Sequence, residues 1–294
     1  MDKKFKIGVI GTENSHAKEF TRFFNKPDID GNFLYPDCHV TMVYGHYPEE
    51  SEKVVKDFGA DMVASSIDEM VKSVDAVMIT ARDGKFHKEF AIPFIEAGIP
   101  AFIDKPFTTD INEANEIINK AKEKGVPLVG GSSLKYAKDI VELKQSADAW
   151  KEKLLGGFVS APLDFNSPYS GFWFYSSHLA EMCMEIFGWK PISVSAEEKN
   201  SSVQAVINYE KFSVNCSFLN GAYSAYGGAV FGKEKSDIRA VSLDNIFRAE
   251  CSAFVEMLRT GKMSHSYEEL IAPVYLLDAI ERSYKSGKKV LIEY

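Results

Sequence analysis

The sequence predicts an α/β protein. A Rossmann-like parallel-sheet domain should be followed by an α+β domain with a mainly antiparallel, open sheet. Three observations point there. The first part of the chain alternates short apolar runs with amphipathic helical stretches, the pattern of right-handed βαβ units. Its first apolar run ends on a glycine, a short polar loop and a helix start. After about Tyr136 the strand-like runs instead follow one another through short turns, which suggests antiparallel pairing.

The elements follow in order. "FKIGVIG" is an apolar run with turn residues behind it, hence a buried strand. In "HAKEFTRFFN", Ala17, Phe20, Phe23 and Phe24 fall near helical spacing. "HVTMVYG" is a second strand. Pro48 opens the helix "PEESEKVVKDFG", with acids in its first turn and Gly59 as its stop. "SIDEMVKS" is a short helix and "DAVMIT" a third strand. "FHKEFAIPFIEAG" reads as a helix that Pro93 should bend or shorten. "IPAFID" is a fourth strand. Asp110 and Glu113 resemble a capping box for "INEANEIINKAKEKG", and "VPLVGG" is a fifth strand. The boundary is expected between Ser132 and Tyr136, giving domains 1–134 and 135–294. Beyond it come a helix ("DIVELKQSADAWKEKL"), an extended run ("GGFVSAPLDFN") and a helix ending at Gly188. The strands "ISVSAEE", "VQAVINYE", "FSVNCSFLN" and "GGAVFGK" follow, then two amphipathic helices and a last strand, "KVLIEY". A parallel sheet binds ligands beyond the carboxyl ends of its strands. Here those ends are 11–16, 44–47, 80–85, 104–107 and 130–133.

Composition narrows the function. The chain has 294 residues, 45% hydrophobic and 26% charged, with net charge −8. It lacks the basic face that a nucleic acid needs. No apolar run approaches the roughly 20 residues that cross a bilayer, and the apolar stretch after "MDKK" is too short for a signal peptide. Cys38, Cys183, Cys216 and Cys251 are far apart, so neither a zinc framework nor a disulfide scaffold is expected. A cytoplasmic protein with a small-molecule ligand is the expectation, with no nucleic-acid or membrane partner.

The loop "GTENSHA" raises the first chemical question. A G-x-G-x-x-G fingerprint from Gly11 needs glycine at 13 and 16, to admit and seat a pyrophosphate. Those positions hold Glu13 and His16. Two like charges about 4 Å apart repel by about 4 kcal/mol at an effective dielectric near 20, so a dinucleotide requires Glu13 to point away. Asn14 and Ser15 are good N-caps, and a helix start offers free N–H groups. Gly11, Thr12, Asn14, Ser15 and His16 are therefore candidate cofactor contacts. A well-capped helix that binds nothing explains the same residues. The second strand ends in Gly45 and His46, where an acid usually holds the adenosine ribose, and no Arg stands ready for a 2′-phosphate.

"FIDKPFTTD" places Lys105 at the carboxyl end of the fourth strand, before Pro106. A lysine facing a cleft there can donate to a substrate hydroxyl and help take its proton. A lone lysine at a strand end is more often simply on the surface. The combination of His87, Ala97, Gly98, Asp104, Lys105 and Pro106 resembles the E-K-P signature of the Gfo/Idh/MocA oxidoreductases, with Asp104 in place of the usual Glu. The order of the two domains resembles that family too. The resemblance implies NAD- or NADP-dependent chemistry on sugars, cyclitols and related alcohols, with Lys105 acting beside an Asp and a His from the second domain. It also implies a homo-oligomer joined through the open sheet. Thr80, Ala81, Asp104 and Lys105 join the candidate cofactor contacts.

The second-domain candidate is "GFWFYSSHLAEMC". His178 fits the His, but Phe174 stands where the resemblance places an Asp, four residues earlier. Glu181 shares a helix face with His178 and could orient the imidazole or touch substrate. Lys105 and His178 are the candidate catalytic pair; Lys105, Phe174, His178 and Glu181 are candidate substrate contacts. A core histidine in a capped helix is the plainer reading. Among Phe172, Trp173, Phe174 and Tyr175, at least two are expected in the core. "GGAVFGKE" mimics a P-loop, but Glu234 replaces the magnesium-binding Ser/Thr and the stretch belongs to the antiparallel half. No third ligand joins His178 and Glu181, so no metal site is expected.

Three functions remain open on the sequence. The first is an NAD(P)-dependent dehydrogenase or reductase. The second is a degenerate relative that binds a ligand without turnover. The third is an enzyme whose nicotinamide is held mainly by 80–83, Asp104 and Lys105.

Overall fold

Strand β1 (Phe5–Ile10) is buried from Ile7 onward and sits inside a six-stranded sheet. Its partners are β2 (Cys38–Tyr44), β3 (Met62–Val63), β4 (Ala76–Ile79), β5 (Ala101–Asp104) and β6 (Leu128–Gly131). The order is β3-β2-β1-β4-β5-β6, and every pairing is parallel. This is the Rossmann order, whose direction of winding reverses between β1 and β4. The computed structural model describes residues 4–294.

The helices between these strands are α1 (Ser15–Asn25), α2 (Pro48–Lys53), α3 (Ile67–Val71), α4 (His87–Glu96) and α5 (Ile111–Lys124). Helix α2 continues into a π-helical turn that stops at Gly59, φ 89°. Helix α4 is not stopped by Pro93: it runs on to Glu96. Proline removes one helical hydrogen bond, but Phe90, Ala91, Phe94 and Ile95 are all buried, and that burial keeps the last turn in place. The sheet also holds one strand more than expected. β3 is only two residues long, too short to carry a period.

The chain forms two compact units. Among the described residues, the first comprises 4–108, 112–131 and 247–270. Helix α6 (Lys138–Trp150), β7 (Leu154–Leu163), α7 (Phe172–Phe187) and the strands β8 (Ser193–Lys199), β9 (Ser202–Asn208), β10 (Ser213–Asn220), β11 (Gly227–Gly232) and β12 (Ser236–Ala240) belong to the second. Helix α8 (Ile246–Thr260) then packs in the first unit: Phe254 is fully buried, edge-on to Phe102 and Phe24. Helix α9 (Tyr267–Ser286) and β13 (Val290–Leu291) end the chain.

The second sheet runs β12-β11-β7-β10-β9-β8-β13. All its pairings are antiparallel except β7 with β10. β9 and β10 alternate buried and exposed residues, as a sheet covered on one face must. Val203, Ala205, Ile207, Val214, Cys216 and Phe218 form the covered face. The P-loop look-alike is β11 itself. β12 lies outside the expected elements. It is an edge strand with the polar sequence "SDIRA"; edge strands carry charge to discourage further pairing, which hides them from an apolar pattern. No helix among the described residues is long and apolar enough to cross a membrane.

Candidate active site

In the first unit, the loop after β1 is held by its own side chains. Gly11 has φ 93°, and a Cβ there would lie 2.1 Å from the Ala81 amide nitrogen. Only glycine lets the ends of β1 and β4 approach this closely. Asn14 is the N-cap of α1: its Oδ1 accepts from the His16 N–H at 3.2 Å. Its Nδ2 donates to the Thr80 carbonyl at 2.9 Å and to Asp104 Oδ2 at 3.2 Å. One side chain thus ties the ends of β1, β4 and β5 together. Thr80 donates its hydroxyl to the Ile10 or Gly11 carbonyl, at 3.0 and 3.2 Å. Thr12 is fully buried, its Oγ1 2.8 Å from Ser51 Oγ. Ser15 is exposed in the first turn of α1, where backbone N–H groups have no helical acceptor.

Glu13 turns away from the helix start. Its Oε1 accepts from the Arg82 N–H at 2.9 Å, and its carbonyl accepts from the Arg82 guanidinium at 3.1 Å. The charge that threatened a phosphate is therefore drawn to the loop after β4.

Asp104, which ends β5, is fully buried. Its Oδ2 lies 2.6 Å from His16 Nδ1, and its Oδ1 accepts from the Lys105 N–H at 2.6 Å. Burial alone raises a carboxyl's pKa, but the His16 ring and Lys105 outweigh it and hold Asp104 below the ordinary carboxylate range. Lys105 is 4% exposed, and its bond to Pro106 is cis. Gly84 passes so close that a Cβ would meet Pro106 at 2.7 Å. The His87 ring spans the Ala81 and Phe107 carbonyls, at 2.7 and 3.2 Å. The signature loop is thus pinned on both flanks.

A second cluster forms in the second unit, between the turn after β6 and α7. Ser132 Oγ lies 2.7 Å from His178 Nδ1, and the Ser132 N–H donates to Glu181 Oε1 at 2.7 Å. Lys135 Nζ donates to Glu181 Oε2 at 2.9 Å, with both side chains almost wholly buried. The rings of Tyr175 and Tyr226 stand 6.4 and 6.0 Å from that of His178. Phe174 is half-buried against Tyr169 and Tyr175. Phe172 and Trp173 are core residues: Phe172 packs on Phe165, Phe218 and Tyr284, and Trp173 Nε1 donates to Glu281 at 3.1 Å.

Within the first unit the structure brings Gly11, Thr12, Asn14, Ser15, His16, Thr80, Ala81, Asp104 and Lys105 to neighbouring strand ends. Within the second it joins His178 and Glu181 through Ser132. Sequence reasoning missed Ser132 and Lys135. The stretch 130–133 is a predicted strand end, but nothing local in "GSSLKY" names a partner on α7.

A family model described as an oxidoreductase family with an NAD-binding Rossmann fold matches residues 5–132. A scyllo-inositol 2-dehydrogenase (NADP(+)) of Bacillus subtilis is 29% identical over 138 residues, 46% of this chain and 41% of that protein. An inositol 2-dehydrogenase of Mycolicibacterium gilvum is 29% identical over 161 residues, 54% of this chain and 42% of its own length. The match thus spans about two fifths of these relatives. Among solved structures, a Lactobacillus casei scyllo-inositol dehydrogenase with bound NAD(H) and scyllo-inositol superposes with TM-score 0.82 at 16% identity, covering 99% of each chain. A Lactobacillus plantarum myo-inositol 2-dehydrogenase gives 0.84 at 17%, covering 99% of this chain and 100% of that one. These likenesses carry the fold across both units. Residues 5–132 match the Gfo/Idh/MocA model of oxidoreductases with an NAD-binding Rossmann fold, and it is through this stretch that the chain resembles that family.

Proposed function

We propose that the protein is an NAD- or NADP-dependent dehydrogenase or reductase of a cyclitol, sugar or related alcohol. The observation that carries this reading is Lys105, held at the end of β5 by the Asp104–His16–Asn14 network in a family whose fold binds NAD. The activities of the relatives, inositol dehydrogenases among them, support the substrate class. The residues fit a dinucleotide: Gly11 makes the tight turn, the α1 N-terminus offers amides, and Glu13 is withdrawn to Arg82. Gly11, Thr12, Ser15, Thr80 and Ala81 would hold it, with Asn14, His16 and Asp104 fixing their geometry. The nicotinamide, when bound, supplies the carbon that accepts or gives the hydride. In the first unit Lys105 would polarise a substrate oxygen through its N–H; in the second, His178 is the candidate catalytic residue through its ring N–H. Phe174 and Glu181 border the substrate.

A second reading has a specific support. Phe174 in place of an acid and a second strand without a terminal carboxylate favour a ligand-binding relative without turnover. Titration with NAD⁺, NADH, NADP⁺ and NADPH, followed by assays on myo- and scyllo-inositol, separates the two. Absence of binding at millimolar nucleotide would sink hydride transfer. If cofactor binds, Lys105→Ala should lower kcat by about 10²–10⁴-fold. Its cofactor Kd should barely move, and unchanged turnover removes Lys105 from catalysis.

We also propose a cytoplasmic homo-oligomer joined through the open face of the second sheet. That face carries a groove of about 540 Å³ lined by Glu197, Gln204, Val206 and Asn215, among others. Light scattering on the purified chain tests it, and a monomer at micromolar concentration overturns it.

A further inference from the structure

A serine hydroxyl carries one proton, and in a buried site that proton needs an acceptor. Ser132 is fully buried. Its oxygen already accepts from the Leu134 N–H at 3.1 Å, closing the turn after β6. Among the described residues, the acceptor within reach of its proton is His178 Nδ1, at 2.7 Å. If Nδ1 of a neutral ring carried a proton, the serine's proton would be stranded away from water. The bond is satisfied in one sense: Ser132 donates and Nδ1 accepts. The serine is itself clamped. Its N–H is fixed by Glu181, and Glu181 by Lys135.

We propose that Ser132 is the positioning residue of His178: its hydroxyl holds the neutral imidazole as the tautomer protonated at Nε2, so His178 meets the substrate as a hydrogen-bond donor and not as the proton acceptor. This rests on the dehydrogenase reading above. A neutral imidazole has one ring lone pair, and here Ser132 occupies it at Nδ1. Nε2 can donate but has nothing with which to accept. Proton acceptance from the carbinol is then left to a group other than His178. The His178 Nε2–H steadies the charge that grows on the carbinol oxygen. A carboxylate beside Nδ1 does the opposite: it draws a proton there and leaves Nε2 as a base. With Phe174 at the preceding helix turn, α7 brings no carboxylate from that position, and a donating hydroxyl reverses the polarity of the ring.

Long-range ¹H–¹⁵N correlation spectra of the full-length protein read the tautomer directly. The protein has 6 histidines, and His178→Gln assigns the signal. At a pH where the ring is neutral, His178 should show an unprotonated Nδ1 and a protonated Nε2. Ser132→Ala should mix or invert the tautomers, and Ser132→Thr, which keeps the hydroxyl, should restore them. With an active enzyme, Ser132→Ala should lower kcat about tenfold while KM and cofactor Kd stay within about twofold. A protonated Nδ1 in the unmodified protein overturns the proposal, as does a tautomer ratio unchanged in Ser132→Ala. Neither spectrum needs turnover, so failure of the dehydrogenase reading registers separately, in the nucleotide titrations. If Ser132→Ala does not fold, the spectrum of the unmodified protein still decides.

Discussion

Each unit carries a buried helical histidine bonded to a residue at a strand end, and the two keep opposite company. His16 lies 2.6 Å from the carboxylate of Asp104. His178 lies 2.7 Å from the hydroxyl of Ser132, while the nearby carboxylate of Glu181 is bound to a lysine and a backbone amide. The ingredients are the same: imidazole, carboxylate, strand-end loop. The wiring separates their work. A carboxylate on the imidazole makes a fixed pin beneath Lys105. A carboxylate spent on Lys135 instead locks a loop and leaves the imidazole to a neutral partner, which can set its tautomer without fixing a charge on it.

The sharpest way to break this contrast is to remove the cation from the second cluster. Lys135→Met leaves the buried Glu181 carboxylate without its counter-charge. Losing one partner of a buried ion pair costs about 3–5 kcal/mol, readable as a fall in the urea midpoint. Lys135→Met combined with Glu181→Gln should recover much of that, because the uncompensated charge goes too. A cost below about 1 kcal/mol for the single change, typical of an exposed pair, would show that Glu181 is not clamped by Lys135.

The first cluster should respond to pH. Asp104 is held below the ordinary carboxylate range despite burial, by His16 and Lys105. Folding therefore favours its ionised form. That contribution is fully present above the unfolded-state value of about 4, and is lost as pH falls through the lower, folded-state value. Asp104→Asn keeps one acceptor oxygen, which can serve the Lys105 amide or Asn14 but not both, and removes the charge. It should cost about 1.5–3 kcal/mol at neutral pH, the scale of a charged hydrogen bond, and much less in strong acid. Urea midpoints at pH 7 and pH 3 check this; an equal loss at both would mean that Asp104 acts through shape alone.

The two clusters were unequally legible in the sequence. The turn glycine, the N-cap Asn14 and "DKPF" are local patterns, so a period or a dipeptide reveals them. The partnerships are not local. Asp104 stands 88 positions from His16, and Ser132 stands 46 from His178. Their meeting depends on which strand ends become neighbours and which face α7 turns to the turn after β6. Glu13 shows the limit well. Its charge could be read from the sequence and its direction could not, because its partner is a backbone amide 69 positions away, and a backbone amide leaves no trace in residue type.

That direction gives the smallest expected effect and a clean discrimination. Glu13→Gln keeps an oxygen for the Arg82 N–H and deletes only the charge. With the carboxylate turned to Arg82, as found, affinity for NADH or NADPH should change by less than about threefold, or about 0.7 kcal/mol. A carboxylate facing the pyrophosphate at about 4 Å would instead oppose binding by about 4 kcal/mol at an effective dielectric near 20. Removing it would then tighten binding by about 10³-fold. Fluorescence titration of both proteins at one ionic strength resolves a thousandfold from a threefold change without ambiguity. A large gain would mean that Glu13 leaves Arg82 when cofactor arrives, and that the loop seen here is the barrier to binding; a negligible one means that the Glu13–Arg82 contact has already removed the obstacle the missing glycine created.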